Sequence, residues 1–364
     1  MPELSNRIPR AILVDANRTN HFNFLRLIFA SLVILSHTFE LIDGNRDREL
    51  LTRLFGSISF AEVAVDGFFL LSGYLIVKSW DSAPHILPFM SKRILRIYPG
   101  FIVASLICAL VVGPLGAEPV AYFFQLDPSR VVYGILRLWG PLVPPVFAGQ
   151  PHPSVNGAMW TIPFEFACYL SVLVLGLSHL VKHREGWLVI TAGIFAAVIC
   201  QKLGFQPSLF GYSFNLEHPL LRLGSFFYTG GSYYLLRDRI SFRPRVAQVF
   251  GVVVFIAMFN SASAEPVLAV LGGYMLFHFA FSPIALLRPF QTLPDVSYGL
   301  YLYGWPIQKL LIWHFPGLSA WSVFILALVG GILAGLVSWH LVEKPFLKLK
   351  LRGAWPAFAR YNTK

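Results

Sequence analysis

Arg26 and His37 stand 11 residues apart in an otherwise apolar run, the first pairing in the chain that could do chemistry. In a helix, eleven steps return to within roughly 20° of the starting direction and rise about 16 Å. A guanidinium and an imidazole would then share one face, with Ala30 and Val33 between them. The next apolar run carries Glu62 and Asp66 one turn apart, then Phe68-Phe69-Leu70-Leu71-Ser72-Gly73-Tyr74. Later runs carry Trp160-Thr161-Ile162-Pro163-Phe164-Glu165 and Arg222. If these runs cross one apolar layer, His37, Asp66, Glu165 and Arg222 fall at a common depth. A carboxylate beside an imidazole fixes its tautomer and raises its basicity, which general-base catalysis needs. Asp66 and Glu165 are therefore the expected partners of a catalytic His37. An interfacial arginine and a packing histidine would account for the first run alone. They would not account for ionisable groups at one depth on three further runs, where each costs about 2.5–3.5 kcal/mol to insert.

A second group is cationic. Lys92-Arg93-Ile94-Leu95-Arg96-Ile97-Tyr98-Pro99 opens the third run, with Arg93 and Arg96 on one helix face. Paired guanidinium forks suit phosphate oxygens, although positive charge at this point also serves membrane orientation. Ser72 lies deeper in the second run, and Ser297-Tyr298-Gly299-Leu300-Tyr301 opens the ninth, where it can line a cofactor path or form an interfacial tyrosine belt. Cys108, Cys168 and Cys200 lie in apolar runs without a second Cys or His at ligand spacing, so neither zinc, nor any other metal, nor a disulfide is expected.

The elements that must position these residues follow from composition. Of 364 residues 56% are apolar and only 13% charged, against about 25% charged in soluble domains. Mean hydropathy is +0.63. Such a chain cannot cover itself with polar surface, and a soluble enzyme, a disordered protein and a disulfide scaffold are excluded. A membrane span needs about 20 apolar residues. Ten runs qualify: 22–42, 59–78, 94–114, 160–180, 187–204, 219–236, 247–262, 266–286, 296–314 and 319–341. The expected fold is all-α, a polytopic integral membrane protein of about ten transmembrane helices.

Loop charges orient it. With the N-terminus cytoplasmic, 20 of the 29 Lys and Arg residues fall on the inner side. Both termini are then expected in the cytoplasm, as tails 1–21 and 347–364 flanking a transmembrane domain 22–346. The net charge of +11 reads as a topology signal and a phospholipid-facing surface, with no nucleic-acid partner. The proline-rich stretch 115–159 is the longest outside the spans and is expected to form an extracytoplasmic lid or re-entrant cap.

Taken in order, these blocks resemble the bacterial membrane acyltransferase-3 family. Val65-Asp66 followed by Phe68 through Ile76 is similar to its second-helix signature, Arg26 with His37 to its first-helix arginine and essential histidine, and Arg93-Ile-Leu-Arg96 to its RxxR motif. Trp160 through Glu165 with Tyr169, Ser297 through Pro306, and Glu343-Lys344-Pro345-Phe346 resemble its later blocks, so the likeness spans 22–346. Two departures stand out. Tyr303-Gly304-Trp305-Pro306 lacks the histidine common in the ninth helix, and Asn23-Phe24-Leu25-Arg26 lacks the Asp-Gly common before Leu-Arg.

The resemblance implies transfer of an acyl group, usually acetyl, from cytoplasmic acyl-CoA to a hydroxyl of an extracytoplasmic or lipid-linked glycan, in a bacterial inner membrane. Arg26, Arg93 and Arg96 would form the rim for the CoA phosphates, and Ser72, Ser297 and Tyr298 would line the path of the pantetheine arm. His37 would serve as base or acyl relay, with Glu165 or Asp66 orienting it. The competing class is a proton-coupled transporter or flippase of a lipid-linked sugar, for which intramembrane His, Asp and Glu are equally suited. Coenzyme A separates the two, since a transporter has no reason to bind it.

Overall fold

The computed structural model describes residues 20–205, 208–209, 212–213 and 219–352. Most of the two expected tails, with Arg7, Arg10 and Arg18, lies outside the described residues. All ten apolar runs are helices: α1 Phe22–Asp43, α2 Phe60–Ser82, α3 Ile86–Leu115, α4 Gly157–Leu177, α5 Arg184–Lys202, α6 Pro219–Leu235, α7 Pro244–Ala257, α8 Ser261–Phe281, α9 Ser297–His314 and α10 Ala320–Leu349. A two-residue hairpin, Ser208–Leu209 with Tyr212–Ser213, follows α5. The all-helical polytopic membrane fold holds.

Seven of the ten helices, α1 to α5, α8 and α10, are long and apolar enough to cross a bilayer unaided. α6 and α7 are too short, at 17 and 14 residues. α9 has 18 residues but carries Gln308 and Lys309. Both of those side chains are fully buried, so protein shields the polarity of α9 from lipid.

Local signals set the helix ends. Ser59 and Glu62 form a capping box at the start of α2, which spends Glu62 on backbone hydrogen bonds. Gly44, at φ 77°, closes α1. α10 widens into a π turn over Trp339–Glu343. Pro345 follows two residues later, and its ring displaces the carbonyl of Leu341 inside that turn.

Two-thirds (67%) of the membrane-length stretch of α2 is buried, against 17% for α5, so α2 is central and α5 peripheral. α2 and α6 pack backbone to backbone. A Cβ at Gly73 would overlap the Phe227 carbonyl oxygen, and one at Gly230 the Leu70 carbonyl oxygen. Such small-residue contacts drive helix association where no hydrophobic effect operates. In the stretch 115–159, short helices Pro119–Gln125 and Pro128–Leu136 fold back along α3. Tyr122 OH donates to Ala109 O at 2.7 Å, and Tyr98 OH to Leu136 O at 3.1 Å. The chain then closes over the middle of α9, where Trp305 Nε1 donates to Ser154 O at 3.3 Å.

Candidate active site

At the end of the bundle that holds Arg26 and the start of α9, a cavity of about 310 Å³ opens between α1, α2, α3, α4 and α9. Arg26, Ser72, Arg93, Arg96, Ser297 and Tyr298 all line it, and Glu165 with them. These residues come from five helices, and the sequence distinguishes each by its type and place.

The arginines are not equivalent. Arg26 pairs with Asp295 at 3.0 Å, and Arg96 with Asp295 at 2.6 Å and Glu343 at 3.2 Å. Asp295 lies just before α9. Burial pushes its carboxyl up, but Arg96 and Arg26 outweigh that and hold it at about 2. Arg96 also lies over the rings of Tyr298 and Trp339. Arg93, only three residues away, turns to the opposite wall. It donates to Ser79 Oγ at 2.7 Å and lies over the Phe89 and Tyr169 rings. Among the described residues Arg93 makes no ion pair with a carboxylate within contact distance, and Lys92 stands beside it in the lining.

The smaller polar groups are arranged in two sets. Ser72 Oγ donates to Glu165 Oε1 at 3.0 Å and lies 3.2 Å from Tyr169 OH, which also donates to Glu165. Ser297 donates to Asp295, and Tyr298 OH to Ile97 O at 2.8 Å. Thr161 and Tyr301 line the cavity too, their hydroxyls 2.6 Å apart. One turn of α9 beyond Tyr301, about 5.4 Å along the axis, stands Trp305, and the His37 ring lies edge-on against its indole at 4.8 Å.

His37 does not meet the expected carboxylates. Its Nδ1 is 3.3 Å from Glu40 Oε2, one turn further along α1. Asp66 accepts both contacts of Arg222 Nη2, at 2.8 and 3.0 Å. Arg222 Nε reaches Glu265 at 3.3 Å, and Lys202 pairs with Glu265 at 3.2 Å. Asp66 thus belongs to an ion network joining α2, α5, α6 and α8. The pairing of His37 with Asp66 or Glu165 is corrected accordingly: common depth says nothing about rotation, and both carboxylates face other helices.

The residues missed from sequence are these partners. Glu40 carried a signal, because residues three apart on one helix are neighbours. Asp295 stands beside the Ser297-Tyr298 block, and Glu343 opens the Glu343-Lys344-Pro345-Phe346 block, yet nothing local directs either one to Arg96. His152, whose Nε2 lies 3.0 Å from Glu40 Oε1, carried none.

Comparison with known proteins gives the same direction. A family model described as an acyltransferase domain, that of acyltransferase-3, matches residues 20–340. An O-acetyl transferase of Shigella phage Sf6 is 27% identical over 337 residues, which is 91% of this chain and 97% of the relative. Nodulation protein 10 of Rhizobium leguminosarum bv. viciae is 27% identical over 368 residues, 92% of this chain and 95% of the relative. The acyltransferase MdmB of Streptomyces mycarofaciens is 31% identical over 180 residues, 47% of this chain and 43% of the relative. No solved structure matches. With a multi-helix membrane bundle, a cation-lined cavity and a family match over nearly its whole length, this chain belongs to the acyltransferase-3 family of membrane acyltransferases.

Proposed function

We propose that the protein moves an acetyl group from cytoplasmic acetyl-CoA to a hydroxyl of an extracytoplasmic or lipid-linked glycan, in a bacterial inner membrane. The observation that carries this reading is the cavity itself. It has Arg93, without a carboxylate ion pair, in its wall and reaches Tyr301, one turn of α9 short of Trp305, which packs on His37. The relative named as an O-acetyl transferase supports acetyl as the group moved.

Arg93 and Lys92 would take the CoA phosphates, since they are cations in the lining without a carboxylate pair. Arg26 and Arg96, tied to Asp295 and Glu343, would shape that rim and orient the ligand rather than carry most of its charge. The pantetheine arm would run along Ser72, Glu165 and Tyr169, whose hydroxyls and carboxylate match its amides, with Ser297 and Tyr298 on the facing wall. The roughly 16 Å between Arg26 and His37 along α1 suits the reach of that arm. Glu165 acts within the donor cavity in this scheme, and Asp66 holds the surrounding helices in place.

At the far end His37 would act in one of two ways. As a base it takes the proton of the acceptor hydroxyl, the oxygen attacks the thioester carbon, and the C–S bond breaks to release CoA. As a relay its imidazole accepts the acyl group first and passes it on. Purified protein and its His37→Ala variant, incubated with acetyl-labelled acetyl-CoA, separate these from no role at all. Histidine-dependent thiol release is expected, and label retained on the wild-type protein would select the relay. Full turnover by His37→Ala would remove His37 from the chemistry, and absence of both binding and release would favour a transporter.

A further inference from the structure

Glu40 lies in the apolar α1 with its side chain only 5% exposed. A buried carboxylate is costly unless paired, and this one is paired three times. Oε2 faces His37 Nδ1 at 3.3 Å, while Oε1 receives Arg46 Nη2 at 2.7 Å and His152 Nε2 at 3.0 Å. An ionised carboxylate only accepts hydrogen bonds, so the His37 proton resides on Nδ1 and the lone pair is left on Nε2. The Trp305 indole packs on that ring in a T-shaped contact at 4.8 Å.

Arg46 arrives just after the Gly44 turn that ends α1, but His152 comes from the loop far along the chain. That loop takes left-handed backbone at Phe147, Gly149 and His152, with φ of 54°, 81° and 52°. Conformations of this kind cost of order 1–3 kcal/mol at non-glycine residues and persist only where surrounding contacts impose them. Three contacts tie the segment around His152 to α9 and to Glu40. Lys309 Nζ donates to Pro151 O at 3.1 Å, Trp305 Nε1 to Ser154 O at 3.3 Å, and His152 reaches Glu40. The Lys309 side chain is fully buried and has no carboxylate partner among the described residues, so its one hydrogen bond pins this loop.

We propose that Glu40 is the positioning residue for His37, with Arg46 and His152 holding the second carboxylate oxygen. Glu40 sets the imidazole tautomer and stabilises the imidazolium that forms when Nε2 takes the acceptor proton. The electron pair of that O–H bond forms the new C–O bond at the thioester carbon. The C–S bond breaks with its pair leaving on the CoA sulfur, and the Nε2 proton is then returned to that thiolate. Glu40 stays ionised throughout. This inference rests on His37 acting as the base.

The test measures thiol release from acetyl-CoA by the full-length protein in lipid nanodiscs, with bacterial lipopolysaccharide as the acceptor probe and acetyl-CoA hydrolysis as the reference. The variants are His37→Ala, Glu40→Gln, Glu40→Asp and His152→Gln. Glu40→Gln is expected to lower kcat by about 10²-fold or more with KM for acetyl-CoA unchanged. Glu40→Asp should restore part of that loss, and His152→Gln should fall between it and wild type. In histidine-labelled protein the His37 nitrogen resonances should move from the Nδ1–H tautomer towards an Nδ1–H/Nε2–H mixture in Glu40→Gln. Near wild-type kcat in Glu40→Gln beside a silent His37→Ala would overturn the inference while leaving His37 in place. A loss of kcat matched by an equal loss of acetyl-CoA affinity, with no rescue by Glu40→Asp, would also overturn it. Turnover by His37→Ala would instead remove the base assignment on which it rests.

Discussion

Arg93 and Arg96 carry the same group three residues apart and should fail differently when removed. Arg93 makes one neutral hydrogen bond and two ring contacts, so its charge is open to a phosphate. Charge-assisted hydrogen bonds are worth about 1.5–3 kcal/mol. Arg93→Ala should therefore raise KM for acyl-CoA by roughly 10- to 100-fold while the protein stays folded, which steady-state kinetics and a thermal melt would show together. Arg96 neutralises Asp295 and Glu343, the latter side chain 1% exposed. Its removal strands buried charge at a cost of about 3–5 kcal/mol, and Arg96→Ala should show a lower Tm and reduced folded yield before any kinetic effect. Asp295 adds a pH signature. Its pKa of about 2 lies below the roughly 3.9 of an unfolded aspartate, so its stabilisation is present above about pH 4 and is lost as pH falls towards 2. The Tm difference between wild type and Asp295→Asn should shrink as pH falls below about 4.

Among the helices, the junction of α2 and α6 is the least tolerant of added volume. The Ser72-Gly73 dipeptide serves two purposes there: Ser72 turns to Glu165 in the cavity, and Gly73 lets the α6 backbone pass. Adding a methyl group at Gly73 places it on the Phe227 carbonyl oxygen, and overpacking of this kind costs typically 1–3 kcal/mol. Gly73→Ala should lower Tm by several degrees, whereas Gly193→Ala in α5, with no atom near its added Cβ, should be neutral. Differential scanning fluorimetry on both variants decides it. The same contact explains α6, which at 17 residues is held by its neighbour and not by lipid.

For the whole molecule the informative property is direction across the bilayer. The loop charges imply an orientation with the Arg93 rim on the cytoplasmic side and the 115–159 stretch entering from the opposite side. In a variant without native cysteines, a cysteine at Ser129 should react with an impermeant maleimide in intact cells. One at Arg239 should react only after permeabilisation. Reversed labelling would put the donor cavity on the wrong side for cytoplasmic acyl-CoA and would sink the proposed direction of transfer.

How much could be read in advance depends on how local each property is. Membrane insertion is a cost summed residue by residue, so ten apolar runs, their helical form and the few ionisable side chains among them were legible in one dimension. The residues lining the cavity were legible too, because each is a polar group set in its own apolar helix or at that helix's end. Pairing was not. Whether His37 meets Asp66, Glu165 or Glu40 depends on how each helix is rotated and which neighbour glycine admits closely. Whether Arg96 finds Glu343, or Glu40 finds His152, depends on segments more than a hundred residues apart coming to one point. Those choices belong to packing, which minimises buried unpaired charge over the whole bundle at once, and only the tertiary structure makes them.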